Sequence, residues 1–159
     1  MSVNLTFAGL VDALVAFLAE RLGDIRQEPA PPPDGVTRPP RAPVMVAGWT
    51  PPKRSADEPL PPVIVVRASR GTDTQDGGTV TVRFLFLTYS EDPDGWRDVA
   101  TLVQRTLNAL TERMTLGASE LQWPIEWTIP DEQVQPEWAA EITTTWSMMS
   151  TFRTSIETY

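Results

Sequence analysis

Phe7, Leu10, Val11, Leu14, Leu18, Leu22 and Ile25 recur three and four apart, which predicts an amphipathic helix over residues 5 to 23. Asp12, Glu20 and Arg21 fall off that stripe, and Gly23 stands where such a helix would stop. The same spacing returns in Trp96, Val99, Val103, Leu107, Leu110 and Met114. It predicts a second helix with Asp92 as N-cap, Pro93 at the first helical position and Gly117 at the end.

Between and after the helices the period changes to two. "VIVVRA" (63–68) is apolar on both faces and β-branched, as in a strand within a sheet. "TVTVRFLFLTY" (79–89) places Val80, Val82, Phe84 and Phe86 on one face, with Leu85, Leu87 and Tyr89 implying cover on the other face of its second half. The two form a hairpin whose polar tip, residues 69–78, is expected to be exposed. Leu121, Trp123, Ile125, Trp127 and Ile129 alternate with polar residues, and Pro124 on the polar phase requires an edge or a bulge. "PDEQVQP" reads as a turn, after which Trp138, Ala140, Ile142, Thr144, Trp146 and Met148 alternate again. The four-residue spacing of Trp138, Ile142 and Trp146 also fits a helix, but the adjacent threonines favour a strand.

These patterns predict a single α+β domain over 1–159, with a mostly antiparallel four-stranded sheet, two helices on one face and a C-terminal tail at 150–159. Its expected core includes Trp96, Val103, Leu107, Trp123, Trp127, Trp138, Ile142 and Trp146, the tryptophans of the second hairpin facing the helices.

One stretch resists this reading. Twelve of the 16 prolines fall between Pro29 and Pro62, where fixed φ angles and missing amides forbid helix or central strand over most of the length. Only "PVMVAGW" (43–49) is fit for a short strand. Residues 26–59 are either a linker or an arm that orders on a partner, and composition does not separate the two.

The charge balance narrows the function. Thirteen Lys and Arg against 21 Asp and Glu give a net charge of −8, unlike a phosphate-binding surface. Without Cys or His there is no disulfide, no thiolate metal site and no imidazole base. The first residues lack a basic region and carry charges within the apolar run, so neither a signal peptide nor a membrane span is expected. A soluble intracellular protein is the expectation.

Glu126, Asp131, Glu132 and Glu137 raise the thought of a two-carboxylate hydrolase, but they sit on a strand's polar phase or in a turn, where solvation is expected. "RGTDTQDGG" lacks the ligand register of a calcium loop and the strand-to-helix context of a phosphate loop. No enzyme activity, metal or cofactor is expected. Stacked nucleobases would need basic residues between the aromatics, and acids stand there instead. A carbohydrate platform on the 123–146 tryptophans stays open as a second function class.

The phrases "PPVIVVRASRGTD", "VRFLFLTYSEDPDGWRD" and "WPIEWTIPDEQVQPEWAAEITTTW", in this order of elements, resemble the tail terminator (tail completion) proteins of long-tailed bacteriophages. The resemblance covers about residues 60–149, is compatible with the first helix, and departs from the family in the proline content of 26–59. It implies a virion subunit that forms a hexameric ring, caps the tail tube, halts its polymerisation and offers a docking surface to the head–tail connector or head-closure protein. DNA would pass through the ring without specific binding. A head-closure protein, another part of the same joint, shares these features. Interface candidates are Arg70, Asp73 and Asp76 in the hairpin tip, and Arg38, Arg41, Lys53 and Arg54 in the proline-rich arm.

Overall fold

The computed structural model describes residues 6–32, 34–50 and 60–148. Its element order is α1 (Phe7–Arg21), β1 (Val44–Ala47), β2 (Val63–Thr74), β3 (Gly77–Tyr89), α2 (Trp96–Arg113), β4 (Thr115–Leu116), β5 (Ser119–Thr128) and β6 (Glu137–Met148). The class is α+β, but the four-stranded, mostly antiparallel sheet is corrected to a mixed sheet of 6 strands in the order β1-β2-β3-β6-β5-β4. Two short strands make the difference. β1 runs parallel to the start of β2, Val44 opposite Val63, and β4 closes a tight hairpin against Ser119 and Glu120. A strand as short as β4 has no period to read.

α1 buries Leu10, Val11, Leu14 and Leu18, and the Thr6 hydroxyl caps it by accepting from the Gly9 N–H at 3.0 Å. Its apolar stripe outlasts the helix, since Leu22 and Ile25 are buried in the turn that follows. There the Arg26 guanidinium donates to the Gly23 and Ile25 carbonyls, fixing the turn that follows the helix.

α2 starts later than its sequence signals. Asp92 uses its carboxylate to accept from the Asp94 N–H at 2.8 Å, so residues 92–95 form a separate turn and the helix begins at Trp96 behind Gly95. Gly95 is fixed by contact: a Cβ there would lie 2.5 Å from Trp138 Nε1 and 2.7 Å from the Ser90 Cβ. That indole in turn donates to the Ser90 carbonyl at 3.0 Å. The helix ends at Met114, in the left-handed region at φ 57°, rather than at Gly117, which turns the β4–β5 hairpin.

α1 packs over β1 and β2, and α2 over β3 and β6. Between the layers lie Ile64, Val66, Val82, Phe84, Phe86 and Ile142, each at most 2% exposed. Trp146 joins them with its polar atom satisfied: the indole donates to Thr144 Oγ1 at 2.9 Å, and that hydroxyl donates to the Val82 carbonyl at 2.8 Å. Val103, Trp138, Ile142 and Trp146 thus occupy the expected core, and Leu107 is partly buried against it.

Trp96, Trp123 and Trp127 do not, at 41, 66 and 56% exposure. Trp96 shares the stripe of α2 but stands at its first position, where the helix has only begun to cross the sheet. Trp127 lies opposite Ile142, on the helix-covered face by phase, yet one strand beyond the pair that α2 covers. Trp123 belongs to a bulge, because β5 advances from Gln122 to Glu126 while β6 moves only from Thr145 to Thr143. Pro124 sits in that bulge on a strand whose outer neighbour, β4, pairs only with Ser119 and Glu120. Further along β3, Leu85 and Leu87 are half-buried, while Val65 and Val63 opposite them on β2 and Tyr89 at the strand's end are buried, so this face is partly covered there.

Trp146→Ala should cost ~3–5 kcal/mol through lost burial and a cavity, and Thr144→Val ~1–3 kcal/mol by stranding the indole N–H. Urea unfolding followed by circular dichroism measures both, and losses below ~1 kcal/mol would contradict this packing. Gly95→Ala should destabilise by ~1–3 kcal/mol, since Trp138 and Ser90 would have to move to admit the methyl group. An unchanged unfolding midpoint would show that this corner gives way freely.

Candidate interaction interface

The tip of the β2–β3 hairpin is more ordered than a polar loop. Pairing runs on to Thr74 opposite Gly77, so only Gln75 and Asp76 form the turn, and Thr74 Oγ1 donates to the Gly77 carbonyl at 2.6 Å. A bulge at Ser69, where Ala68 faces Val82 but Arg70 faces Thr81, resets the phase of the outer strand. Beyond it residues 69–76 are all exposed although the ladder is unbroken. Gly71 is required by the closeness of the strands, since a Cβ would meet the Thr79 carbonyl at 2.7 Å.

The structure brings Arg70 and Asp73 together in a cleft of about 370 Å³ with Phe7, Val80 and Met148. Asp76 lies round the hairpin in a shallower hollow with Thr74, Glu120 and Ser147. Phe7, 61% exposed at the start of α1, contributes to the apolar share of the first cleft with Ala68, Val80 and Met148.

The proline-rich arm divides into a fixed part and an outer part. Gln27 and Arg41 exchange both backbone hydrogen bonds at 2.9 Å, closing residues 27–41 into a loop. The Gln27 side chain donates to the Asp98 carbonyl at 2.9 Å, and Ala30 N–H donates to the Pro61 carbonyl. Arg41, one of the interface candidates, is half-buried and acts within the chain as a clasp: its guanidinium donates to the Leu60, Ala42 and Pro62 carbonyls. Prolines lack amides but keep their carbonyls, and a part-buried arginine collects them. Burial lowers the Arg41 pKa from its ordinary value.

Arg38 differs. It is exposed, with a loose 3.5 Å contact to Asp34, and all of residues 34–40 are open to solvent, Val36 at 56%. Lys53 and Arg54 lie outside the described residues, as does the tail at 150–159.

The opposite edge of the sheet carries features that alternation alone misassigned. Trp123, Trp127 and the turn residue Val134, 82% exposed, form an open apolar margin. Glu126, Asp131, Glu132 and Glu137 are exposed beside them, and no Lys or Arg occurs between Met114 and Met148. Elsewhere exposed tryptophans are covered by arginine: Arg67 lies 4.6 Å from the Trp49 ring and Arg97 4.7 Å from the Trp96 ring. Among the described residues no such partner covers Trp123 or Trp127.

On the sheet face away from the helices, Arg83 of β3 meets Glu141 of β6 through two hydrogen bonds at 2.5 and 2.8 Å. Arg83 and Glu141 were adjacent in no sequence pattern; only the β3–β6 register brings them together. Arg83's hydrogen bond outweighs desolvation and holds the Glu141 carboxyl below its ordinary range. Among the described residues no group of carboxylates is arranged to hold a metal ion.

No protein-family model matches the sequence, and no curated protein matches it.

Because the Glu141 pKa is depressed on folding, its contribution is present above the ordinary carboxylate range and is lost as pH falls through the folded value. The pair is about one-third exposed, which limits it to ~1 kcal/mol. Glu141→Gln should therefore lower stability at pH 7 by about that amount and flatten the loss between pH 5 and pH 3. An identical pH profile for both proteins would show that the pair contributes nothing.

Proposed function

We propose that this chain is a structural subunit of a long-tailed phage virion, of the tail-terminator type. Copies close into a ring of six that caps the tail tube, stops its growth and presents its far side to the head–tail connector or head-closure protein. It acts through contact and performs no catalysis, and DNA passes through the ring without specific binding. Its place is the head–tail joint, after assembly in the host cytoplasm.

The observation that carries this reading is the β2–β3 hairpin. It stays paired to its last residues, with β3 also laddered to β6 as far as Gly78 opposite Met148, while β2 exposes everything from Ser69 to Asp76. An ordered polar strand end of this kind offers side chains to a neighbouring molecule at little ordering cost. The acidic surface agrees, because a lumen that conducts DNA should not grip phosphates. The phrases shared with tail terminators supply the specific identity.

The exposure of Trp123 and Trp127 favours one second reading, a monomeric module that stacks sugars on these rings. Solution mass separates the two. Light scattering, with and without tail tubes, should give a ring near six times the 17.6 kDa subunit. Deleting Thr72 to Gln75 should leave the thermal melt nearly unchanged while reducing ring formation or tube capping. A protein that remains monomeric with tubes present, and whose tryptophan fluorescence responds to oligosaccharides, would overturn the proposal in favour of the second reading.

A further inference from the structure

The outer arm and the tryptophan margin lie at the same end of the strands but on opposite edges of the sheet. Arg41 is pinned to Leu60 and Pro62, just before Val63 at the start of β2. Val63 is opposite Leu87, Leu87 is opposite Ala139, and two residues further along β6 Glu141 faces Thr128, next to Trp127. The displacement is thus across the sheet. From β1 to β5 there are four strand-to-strand steps, about 19 Å along the sheet at the usual spacing.

The two surfaces are chemically complementary. The arm presents Val36, Arg38, Pro39 and Pro40, exposed, restrained by proline and closed at its base by the Gln27–Arg41 bridge. Proline rings and an arginine plane stack on tryptophan, and proline-rich segments lose little entropy when they do so. Among the described residues the margin presents two indoles without a cation over them, and the exposed Glu126 precedes Trp127 along β5 on the strand's other face. Trp49 and Trp96, by contrast, each have an arginine over the ring.

We infer that residues 34–40 of one copy dock on the Trp123–Trp127 margin of the next copy, with Arg38 over an indole and its charge offset by the acidic edge that includes Glu126. The inference rests on the ring reading and names its lateral contact. Because the arm and the margin are different surfaces on opposite edges, the contact is heterologous, the kind that generates a ring when its rotation closes. The Arg38–Asp34 contact is loose enough to exchange.

Two variants of the full chain test it, Arg38→Glu, which damages the arm, and Trp127→Ala, which damages the margin. Both positions are exposed, so circular dichroism melts should match the wild type. Sedimentation, alone and with tail tubes, should show each variant at least ten-fold weaker in self-association. Mixed in equal amounts, the variants should stop at a 1:1 dimer, since only one intact arm and one intact margin remain to meet. Arg38→Glu combined with Glu126→Arg should regain part of the assembly. Rings of wild-type size from both single variants would overturn the contact while leaving the ring reading intact. A mixture with no dimer would overturn the pairing of these two surfaces. A wild-type chain that stays monomeric with and without tubes would remove the ring reading and this contact together.

Discussion

The ladder between β3 and β6 is the constraint on which the rest of the chain depends. It pairs Gly78 with Met148 at one end and Tyr89 with Glu137 at the other, joining two hairpins that are far apart in sequence. Its covered face carries Val82, Phe84, Ile142 and Trp146, the residues on which α2 rests. The indole of Trp146 is tolerated there because Thr144, on the same strand, accepts its hydrogen bond and in turn donates to the Val82 carbonyl. On the other face the same register sets Arg83 against Glu141. A slip of one residue would move every one of these side chains to the wrong face.

Placing β3 and β6 at the centre also decides what is left uncovered. With α1 over β1 and β2 and α2 over β3 and β6, helix cover runs out at β5. The exposure of Trp127 follows from that shortage of cover, and that of Trp123 from the bulge between Gln122 and Glu126. At the opposite edge the arm is held down by Arg41, Gln27 and the Ala30–Pro61 backbone bond, and beyond this clasp residues 34–40 stand in solvent.

What the sequence made legible follows the same division. Period two located β3 and β6 and named Trp138, Ile142 and Trp146 as core, because a central strand has a helix above every residue of its apolar phase. The same rule failed for Trp127, since alternation states the face but not whether anything lies over it. It failed for Trp96 for a related reason, a helix end that overhangs its support. The clasp made by Arg41 was not legible because proline content says which backbone donors are missing, not which carbonyls a nearby arginine gathers. The Arg83–Glu141 pair was hidden until the strand register was known. The Asp92–Pro93 signal was real turn chemistry, used one turn before the helix.

The edges further limit how copies could meet. A sheet with an open edge tends to grow by strand addition, and a subunit with two unlike edges would then give an open fibre. On β5 that route is obstructed, because Pro124 lacks a donor and the bulge between Gln122 and Glu126 breaks the flat ladder that an added strand needs. On the other side β1 is only 4 residues long and follows Pro43. Backbone pairing across such edges is poor, so in the proposed ring contact between copies would fall to side chains and the arm. Side-chain contacts fix an angle between neighbours that need not follow the sheet's own twist. That freedom is what the proposed ring would require of an edge that is bulged, proline-bearing and unfit for another strand.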